Sequence, residues 1–236
     1  MAKSQLRGDF RNAVLARLSP GNLEGLRPHL HPISLEVKQV IYQPNQPIQD
    51  IFFVEIGMIS VVSLMDDGRS IEVGTIGRES VAGAVVLLGA KSIPYQAYVQ
   101  IAGHGHRIGA AELKEAAKQD DELRDVLSRA QVAFHTQTMQ SVACNGLHSV
   151  TQRCCRWLLM SQDRINGDAV PLTHEFLALM LGVRRASVTD VLRPIQDRGW
   201  IQSNRGEITV LDRKGLESGS CECYRIVIDL QKELLA

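Results

Sequence analysis

Residues 171–211 constrain this chain more than any other segment, because they pass from helical to hairpin patterns over a short distance. Thr173 is a favourable N-cap for an apolar helix that reaches Met180. Gly182 then supplies a residue that tolerates a left-handed conformation, which lets two helices cross steeply. A second helix is predicted to begin at Arg184. Two helices joined by such a turn are typical of a helix-turn-helix unit.

The second helix has one apolar face and one polar face. Val188, Val191 and Leu192 share the apolar face and are predicted to pack on the first helix. The polar residues near its N-terminal end are Arg184, Arg185, Ser187 and Thr189. Arginine bonds the guanine edge through two atoms or clamps phosphate, while serine and threonine reach bases or backbone. This composition predicts a recognition helix for the major groove of DNA.

A hairpin follows the second helix. Apolar runs at 200–202 and 208–210 flank Asn204, Arg205 and Gly206, which predicts a wing with Arg205 against phosphate at its tip. Thr173 completes the predicted DNA-binding set. Two adjacent arginines alone are better explained as a solvated helix face. The cap, the glycine turn, the apolar back face and the hairpin together favour DNA binding.

Bulk charge gives no independent sign of a nucleic-acid partner. The 236 residues carry a formal net charge of +0, with 44% hydrophobic and 22% charged residues, as in ordinary globular proteins. Residues 171–220 hold seven Lys or Arg against six Asp or Glu, so DNA affinity must come from a local arrangement. The N-terminus lacks the apolar run of a signal peptide and no stretch is long enough to span a bilayer, so we expect a cytoplasmic protein without a membrane partner.

Residues 33–108 have the sequence pattern of an antiparallel sheet. β-Branched runs occupy residues 39–42, 51–54, 59–63, 71–73 and 98–101. Turn-forming residues separate them at 44–47, 55–57, 66–68 and 102–105. Short strands at this spacing predict a sandwich or jelly roll, and Asp67 with Gly68 predicts a tight hairpin.

Helical periodicity returns on both sides of this sheet. Residues 6–31 are predicted to be an amphipathic helical segment that Pro20 and Gly21 interrupt. Between residues 110 and 144, a stripe recurs at a spacing of three and four. Its members are Leu123, Val126 or Leu127, Ala130, Ala133 or Phe134, Gln137 and Ser141. The stripe fits either a helix packed on its own sheet or a dimer helix, and a DNA-reading partner domain favours the dimer.

The order of these segments resembles the Crp/Fnr family of bacterial regulators, most strongly at residues 172–189 and also at 51–57 and 59–61. The resemblance implies an α+β fold. Residues 1–110 would form an N-terminal antiparallel β-roll (jelly roll) sensor domain with flanking helices, 111–148 a dimerisation helix, and 149–236 a winged helix-turn-helix. It also implies a homodimer on a near-palindromic double-stranded operator, with RNA polymerase as a partner.

Three residues depart from the family pattern at the DNA end. Ala186 stands where a glutamate commonly follows the arginine that matches Arg185, which removes an acceptor for cytosine. Asp190 replaces a frequent arginine and would repel phosphate. Pro194 should kink or shorten the helix unless the helix already ends there. The usual half-site is therefore not expected.

The ligand pocket of the family also lacks its anchors. Cyclic-nucleotide-binding members carry Gly-Glu on a short helix for the ribose and then Arg-Ser or Arg-Thr for the phosphate. A loose match at residues 77–80 and a second at 94–97 give a possible effector pocket of Arg78, Glu79, Tyr95 and Gln96. Tyr95 stands in the place of the phosphate-binding arginine, so we predict no usual binding of cyclic AMP. An apolar effector behind residues 81–88, or no effector at all, remains open.

No metal or cofactor is predicted. No cysteine precedes Cys144, which excludes the N-terminal cluster of Fnr-type sensors. Adjacent Cys154 and Cys155 are a poor ligand pair, and residues 104–106 are assigned to a turn. Cys221 and Cys223 lie near the C-terminus, where exposure is expected, and two reduced thiols on a terminal helix or loop are favoured over a redox or metal pair.

Other classes of function have less support. The sequence contains no phosphate loop, nucleophile elbow or His-Glu-x-x-His motif, so an enzyme is not expected. The alternative is an interaction protein whose degenerate helix-turn-helix binds protein rather than DNA.

Overall fold

The computed structural model describes residues 10–235 and begins with short helices. Helix α1 spans Ala13–Arg17 and α2 spans Pro20–Leu26, followed by a 3-10 turn at Arg27–His29. The helical segment predicted for residues 6–31 is therefore divided, and it ends early because His31 already begins a strand. Residues 6–9 of that prediction lie outside the described residues.

The next part of the chain is an antiparallel β-roll, as predicted. Its strands are β1 (His31–Leu35), β2 (Val40–Tyr42), β3 (Asp50–Leu64), β4 (Ser70–Ile76), β5 (Val81–Ala82) and β6 (Tyr95–Gly109). The sheet runs in the order β1-β6-β3-β4, with β2 also on β6 and β5 also on β3. The predicted hairpin at residues 66–68 is confirmed, because Gly68 has a φ of +81° and Met65 bonds Arg69 across the turn.

Two predicted turns are wrong, because β3 and β6 are each 15 residues long and pass through them. The residues around Glu55 form bulges within β3, where the register shifts and Gly57 has a φ of +103°. Gly103 and Gly105 lie inside β6, so His104 and His106 belong to a strand rather than a turn. These glycines allow close backbone approach to β3 and do not end a strand.

The predicted long helix is two helices. Helix α3 spans Ala110–Gln119 and α4 spans Asp121–Leu147, with Asp120 capping α4 by accepting from the Leu123 amide at 3.0 Å. The predicted stripe lies on the buried face of α4. Its buried members are Leu123, Val126, Leu127, Ala130, Ala133 and Gln137. This stripe therefore packs on the chain's own β-roll, which is the first of the two alternatives for it.

The C-terminal part forms a second apolar core, which Met58 and Ile101 of the β-roll join. It consists of α5 (Val150–Gln162), β7 (Ala169–Val170), α6 (His174–Leu181), a 3-10 turn (Arg185–Ser187), α7 (Val188–Asp197), β8 (Ile201–Asn204), β9 (Glu207–Val210), α8 (Arg213–Gly219) and α9 (Cys223–Leu235). The three strands pair in the order β7-β9-β8. Helix α9 returns to pack on α4. Among the helices of residues 10–235, none combines the length and apolar character of a membrane span.

Candidate nucleic-acid interface and sensor cavity

The helix-turn-helix forms as the sequence predicts. Thr173 caps α6, because its hydroxyl accepts from the Phe176 amide at 3.3 Å. Gly182 ends α6 in the left-handed region with a φ of +63°, and the Val183 amide donates back to Ala178 at 3.0 Å. The two helices are thereby joined by a tight turn that directs α7 away from α6.

Helix α7 has the predicted division of faces. Its buried residues are Val188, Val191, Leu192 and Ile195. Arg184, Arg185 and Thr189 are exposed, and Ser187 is half-buried. Helix α7 begins at Val188, four residues later than predicted, because Arg184 has extended dihedrals and a 3-10 turn occupies Arg185–Ser187. Arg184 is thus positioned on the connecting turn, and the other three lie at the helix start.

Pro194 does not shorten this helix. Helix α7 continues to Asp197, and the Pro194 carbonyl accepts from the Arg198 guanidinium at 2.6 Å. The carbonyl that loses its donor belongs to Asp190, which is exposed, so water can take the missing bond. The Asp190 carboxylate lies 3.5 Å from the Arg193 guanidinium, which compensates part of its negative charge.

The wing is also present. Strands β8 and β9 pair from Ile201 with Val210 to Asn204 with Glu207, which leaves Arg205 and Gly206 as a two-residue turn. Gly206 has the positive φ of +81° that such turns require, and Arg205 is exposed at the tip.

A cavity of about 930 Å³ lies between the β-roll and α4. Its walls are mainly apolar side chains, including Val61, Ile76 and Val132. Tyr95, His135 and Glu72 add polar groups. Among the described residues that line it, none is lysine or arginine.

The four residues of the predicted effector pocket do not meet in one cavity. Tyr95 lines the cavity beside α4. Gln96 donates to the Gln43 side chain at 3.1 Å in an exposed hydrogen bond. Arg78 and Glu79 line a different cavity, together with residues of α9.

The short helix of the pocket lies further along the chain than the motif at residues 77–80. It is the 3-10 turn Ala84–Leu88, which follows Gly83 in the left-handed region. Gly83 and Ala84 both line the cavity beside α4.

Two family profiles cover about two thirds of the chain. Residues 32–120 match the cyclic nucleotide-binding domain, and residues 152–218 match the Crp-like helix-turn-helix domain. The chain belongs to the Crp/Fnr family. It is therefore a DNA-binding transcription regulator, as the sequence predicts.

Relatives of this Crp/Fnr regulator are distant. It is 24% identical over 189 residues to the global nitrogen regulator of Nostoc sp., which covers 75% of this chain and 83% of the relative. It is 22% identical over 190 residues to the cAMP-activated global transcriptional regulator Vfr of Pseudomonas aeruginosa, covering 76% and 89%. The structure of FixK2 from Bradyrhizobium japonicum superposes with a TM-score of 0.69 at 18% identity, covering 81% of this chain and 98% of that one.

A buried arginine links the parts of this Crp/Fnr regulator, and sequence reasoning missed it. Arg164 follows α5 and is only 3% exposed. Its guanidinium lies 2.5 Å from the Glu79 carboxylate and donates to the Thr75 hydroxyl at 2.7 Å and to the Gln137 side chain at 3.0 Å. The partner of Glu79 is thus Arg164 rather than neighbouring Arg78. The Arg164 charge and hydrogen bonds hold the pKa of Glu79 below its usual value against the opposing effect of burial.

Glu72 forms a second contact between the β-roll and α5. Its carboxylate accepts from the Trp157 indole at 3.1 Å and from the Ser60 hydroxyl. Burial raises its pKa to about 7, because the surrounding hydrogen bonds only partly offset the lost solvation. Glu72 also lines the cavity beside α4. A buried carboxylate therefore lies between this cavity and the DNA-binding half of the chain.

The cysteines differ in their surroundings. Cys154 and Cys155 are buried in the core around α5, and burial raises the pKa of Cys155 to about 11. Cys221 and Cys223 are buried as well, contrary to the predicted exposure. They lie beside Cys144 and His148, which the sequence pattern did not connect with them.

Proposed function

We propose that this regulator binds a near-palindromic double-stranded operator as a homodimer and that cyclic AMP does not control it. The proposal for the DNA interface rests on one observation: the polar residues at the start of α7 are exposed while its opposite face is buried. The DNA-binding residues are Thr173, Arg184, Arg185, Ser187, Thr189 and Arg205. We assign sensing to residues 1–110, dimerisation to 111–148 and DNA binding to 149–236.

Arg185→Ala is expected to cost roughly 1–3 kcal/mol of DNA binding and to relax specificity at one base pair, because arginine reads guanine through two bonds. Arg205→Ala should weaken all sequences alike and lower the salt slope by about 1, since a wing-tip arginine contacts phosphate. Fluorescence anisotropy on the selected operator and on single-base variants measures both effects. Exposed Arg225 on α9 gives the control, Arg225→Ala, which should bind normally. Normal binding by both test variants would contradict the assigned face.

Selection from a random DNA pool tests the function itself. A regulator should recover a near-palindrome, and its affinity should fall as salt rises. Recovery of no sequence would support the alternative, an interaction protein with a degenerate helix-turn-helix. In the first case RNA polymerase is the expected partner of the DNA-bound dimer.

An unpartnered apolar stripe on α4 supports the homodimer. Val132, Met139 and Val142 are 52%, 58% and 67% exposed and recur at a spacing of seven and three. This stripe lies outside the buried face of α4 that packs on the β-roll. Val132 and Val142 also line the cavity, so a second copy on this face would help close it.

Met139→Glu is expected to weaken the dimer at least about tenfold, because a carboxylate would be buried against the partner helix. Analytical ultracentrifugation over a concentration series measures the monomer–dimer constant. Met65→Glu makes the same change at a methionine that is 46% exposed in the turn between β3 and β4, and it should leave the constant unchanged. Equal dimer constants for the two variants would remove the stripe from the interface.

Cyclic AMP is expected to give no binding heat in a calorimetric titration. Its phosphate needs a cation in a half-buried site, and the lining of the cavity supplies only His135 among the described residues as a group that can become positive. The sequence places Tyr95 where the family's arginine holds the phosphate, and tyrosine carries no positive charge there. Vfr, whose name states that it is cAMP-activated, gives a positive control. Tight binding of cyclic AMP by this chain would refute the proposal.

If cyclic AMP is not the effector, the regulator either binds a different small molecule or has no small-molecule effector. The mainly apolar walls favour an uncharged apolar compound that fits the cavity beside α4. Under this proposal Tyr95 lines the site, whereas Arg78, Glu79 and Gln96 do not touch the ligand.

A further inference from the structure

We propose that Cys144, His148, Cys221 and Cys223 bind one zinc ion. Their ligand atoms all lie within 4.8 Å of one another. The Sγ atoms of Cys144 and Cys221 are 3.4 Å apart, and the Cys223 Sγ lies 3.5 Å from the His148 Nδ1. Three thiol sulfurs and one imidazole nitrogen form the Cys₃His set of structural zinc sites.

The spacing fits a single ion. Tetrahedral zinc with Zn–S near 2.3 Å and Zn–N near 2.0–2.1 Å places neighbouring sulfurs about 3.8 Å apart and a sulfur and nitrogen about 3.6 Å apart. The two contacts of 3.4 and 3.5 Å are close to these values. The remaining ligand pairs lie within 4.8 Å, so side-chain shifts of at most about 1 Å would complete the tetrahedron. An iron–sulfur cluster, with its additional atoms at the centre, requires donors that are spread more widely.

Two distant chain segments build the site. Cys144 lies near the end of α4, and His148 is the residue that caps this helix. Cys221 precedes α9 and Cys223 begins it. The segments converge because α9 packs along α4. All three cysteines are buried, although each thiol faces other ligand-forming groups rather than a purely apolar core.

The surrounding groups orient two of the ligands. The His148 Nε2 lies 3.3 Å from the Glu222 carboxylate, which directs Nδ1 toward Cys223. Carboxylate–histidine pairs of this kind fix the ring and the tautomer at metal sites. The Gln140 side-chain amide donates to the Cys223 Sγ at 3.1 Å, a bond that stabilises a thiolate.

The main alternative to a metal site is a disulfide bond between Cys144 and Cys221, whose Sγ atoms lie 3.4 Å apart. It would use two of the four groups and leave no role for the orientation of His148 by Glu222 or for the approach of Cys223. Zinc binding uses all four. A bound ion would also link the end of α4 to the start of α9 beside the connection into α5, and so restrain the DNA-binding half against α4.

Metal analysis of the full-length protein, purified under reducing conditions and loaded with zinc, tests the proposal. We expect one zinc per protomer in the wild type and in Cys154→Ala, which alters a buried cysteine outside the cluster. Cys223→Ser and His148→Ala should lose most of the zinc. Cobalt added in place of zinc should give thiolate-to-metal charge-transfer absorption and the visible bands of tetrahedral coordination in the wild type, reduced in Cys223→Ser.

A variant that fails to fold would leave its loss of zinc uninformative. A second measurement therefore uses only the wild type, from which metal is removed and to which zinc is added back. Removal of metal by a chelator should lower the midpoint of thermal unfolding, and zinc, but not magnesium, should restore it. Three results would overturn the proposal: no zinc uptake by the reduced wild type, full zinc in Cys223→Ser, or cobalt binding without thiolate absorption. A Cys144–Cys221 disulfide in the isolated protein overturns it when the reduced protein then takes up no zinc.

Discussion

Arg164→Met is expected to destabilise the protein by roughly 3–5 kcal/mol at pH 8, because it leaves a buried carboxylate without its partner. Arg164 is 3% exposed and Glu79 is 15% exposed, so little solvent screens the pair. The same substitution removes the donors to Thr75 and Gln137. Methionine has a similar length and avoids a large cavity, so the loss reports mainly on charge and hydrogen bonding.

The cost should depend on pH in a defined direction. In the wild type the pKa of Glu79 is lowered, so its stabilising contribution is present above the ordinary value of 4.5 and is lost as the pH falls below it. Without Arg164, burial is the largest effect on Glu79 and raises its pKa, opposed only by the backbone hydrogen bonds from Gly77 and Glu79. The variant should therefore regain stability as the pH falls from 8 to 5, and the difference from wild type should narrow.

Urea unfolding at pH 8 and pH 5 measures both effects. Arg124→Met is the matched control, because Arg124 pairs with Asp121 on the surface, where the side chains are 57% and 88% exposed. This control should change stability by less than about 1 kcal/mol. A loss for Arg164→Met no larger than that of the control, or one that does not vary with pH, would contradict the buried pair.

Gly103→Ala is expected to cost at least about 3 kcal/mol, at the upper end of overpacking effects. A Cβ at this position would overlap the carbonyl oxygen and carbon of Ile56 on the neighbouring strand. These atoms belong to backbone, which cannot rotate away as a side chain can. Strands β3 and β6 would have to separate at the centre of the β-roll, where Gly57 already forms a bulge.

Gly25→Ala supplies the control for this prediction. Gly25 lies within α2, and a Cβ there would meet nothing within 4 Å. Alanine favours helix over glycine by about 1 kcal/mol, so this variant should be neutral or more stable. Thermal unfolding of both variants separates the two roles of glycine, and a neutral Gly103→Ala would contradict the close approach of the strands.

Much of the DNA-binding half could be predicted from sequence because its signals are local. The cap at Thr173, the left-handed Gly182 and the two-residue turn at Arg205 each depend on a few neighbouring residues. Backbone conformation at such positions is set by short-range sterics and hydrogen bonds. Even here α7 begins four residues later than predicted, and Pro194 is tolerated inside the helix because the carbonyl that loses its donor belongs to exposed Asp190.

The β-roll could be predicted as a class but not in its connections. Glycines near residues 57 and 103 have the composition of turns, whereas they permit bulges and close contact inside two long strands. A sequence pattern does not distinguish these uses, because the deciding atom lies on another strand. The same holds for the stripe on α4, which fitted two packing partners equally.

By itself, the sequence determined the succession of β-roll, long helix and winged helix-turn-helix, since each depends on periodicity and turn chemistry within a short window. It also determined that Arg184 and Arg185 lie exposed just before the apolar face of α7 begins. Only the tertiary structure decided which residues meet across the chain. It brought Arg164 to Glu79, separated Arg78 from Tyr95, and gathered Cys144, His148, Cys221 and Cys223 around one point. Contacts between distant residues depend on the packing of whole elements, and no local pattern encodes that packing.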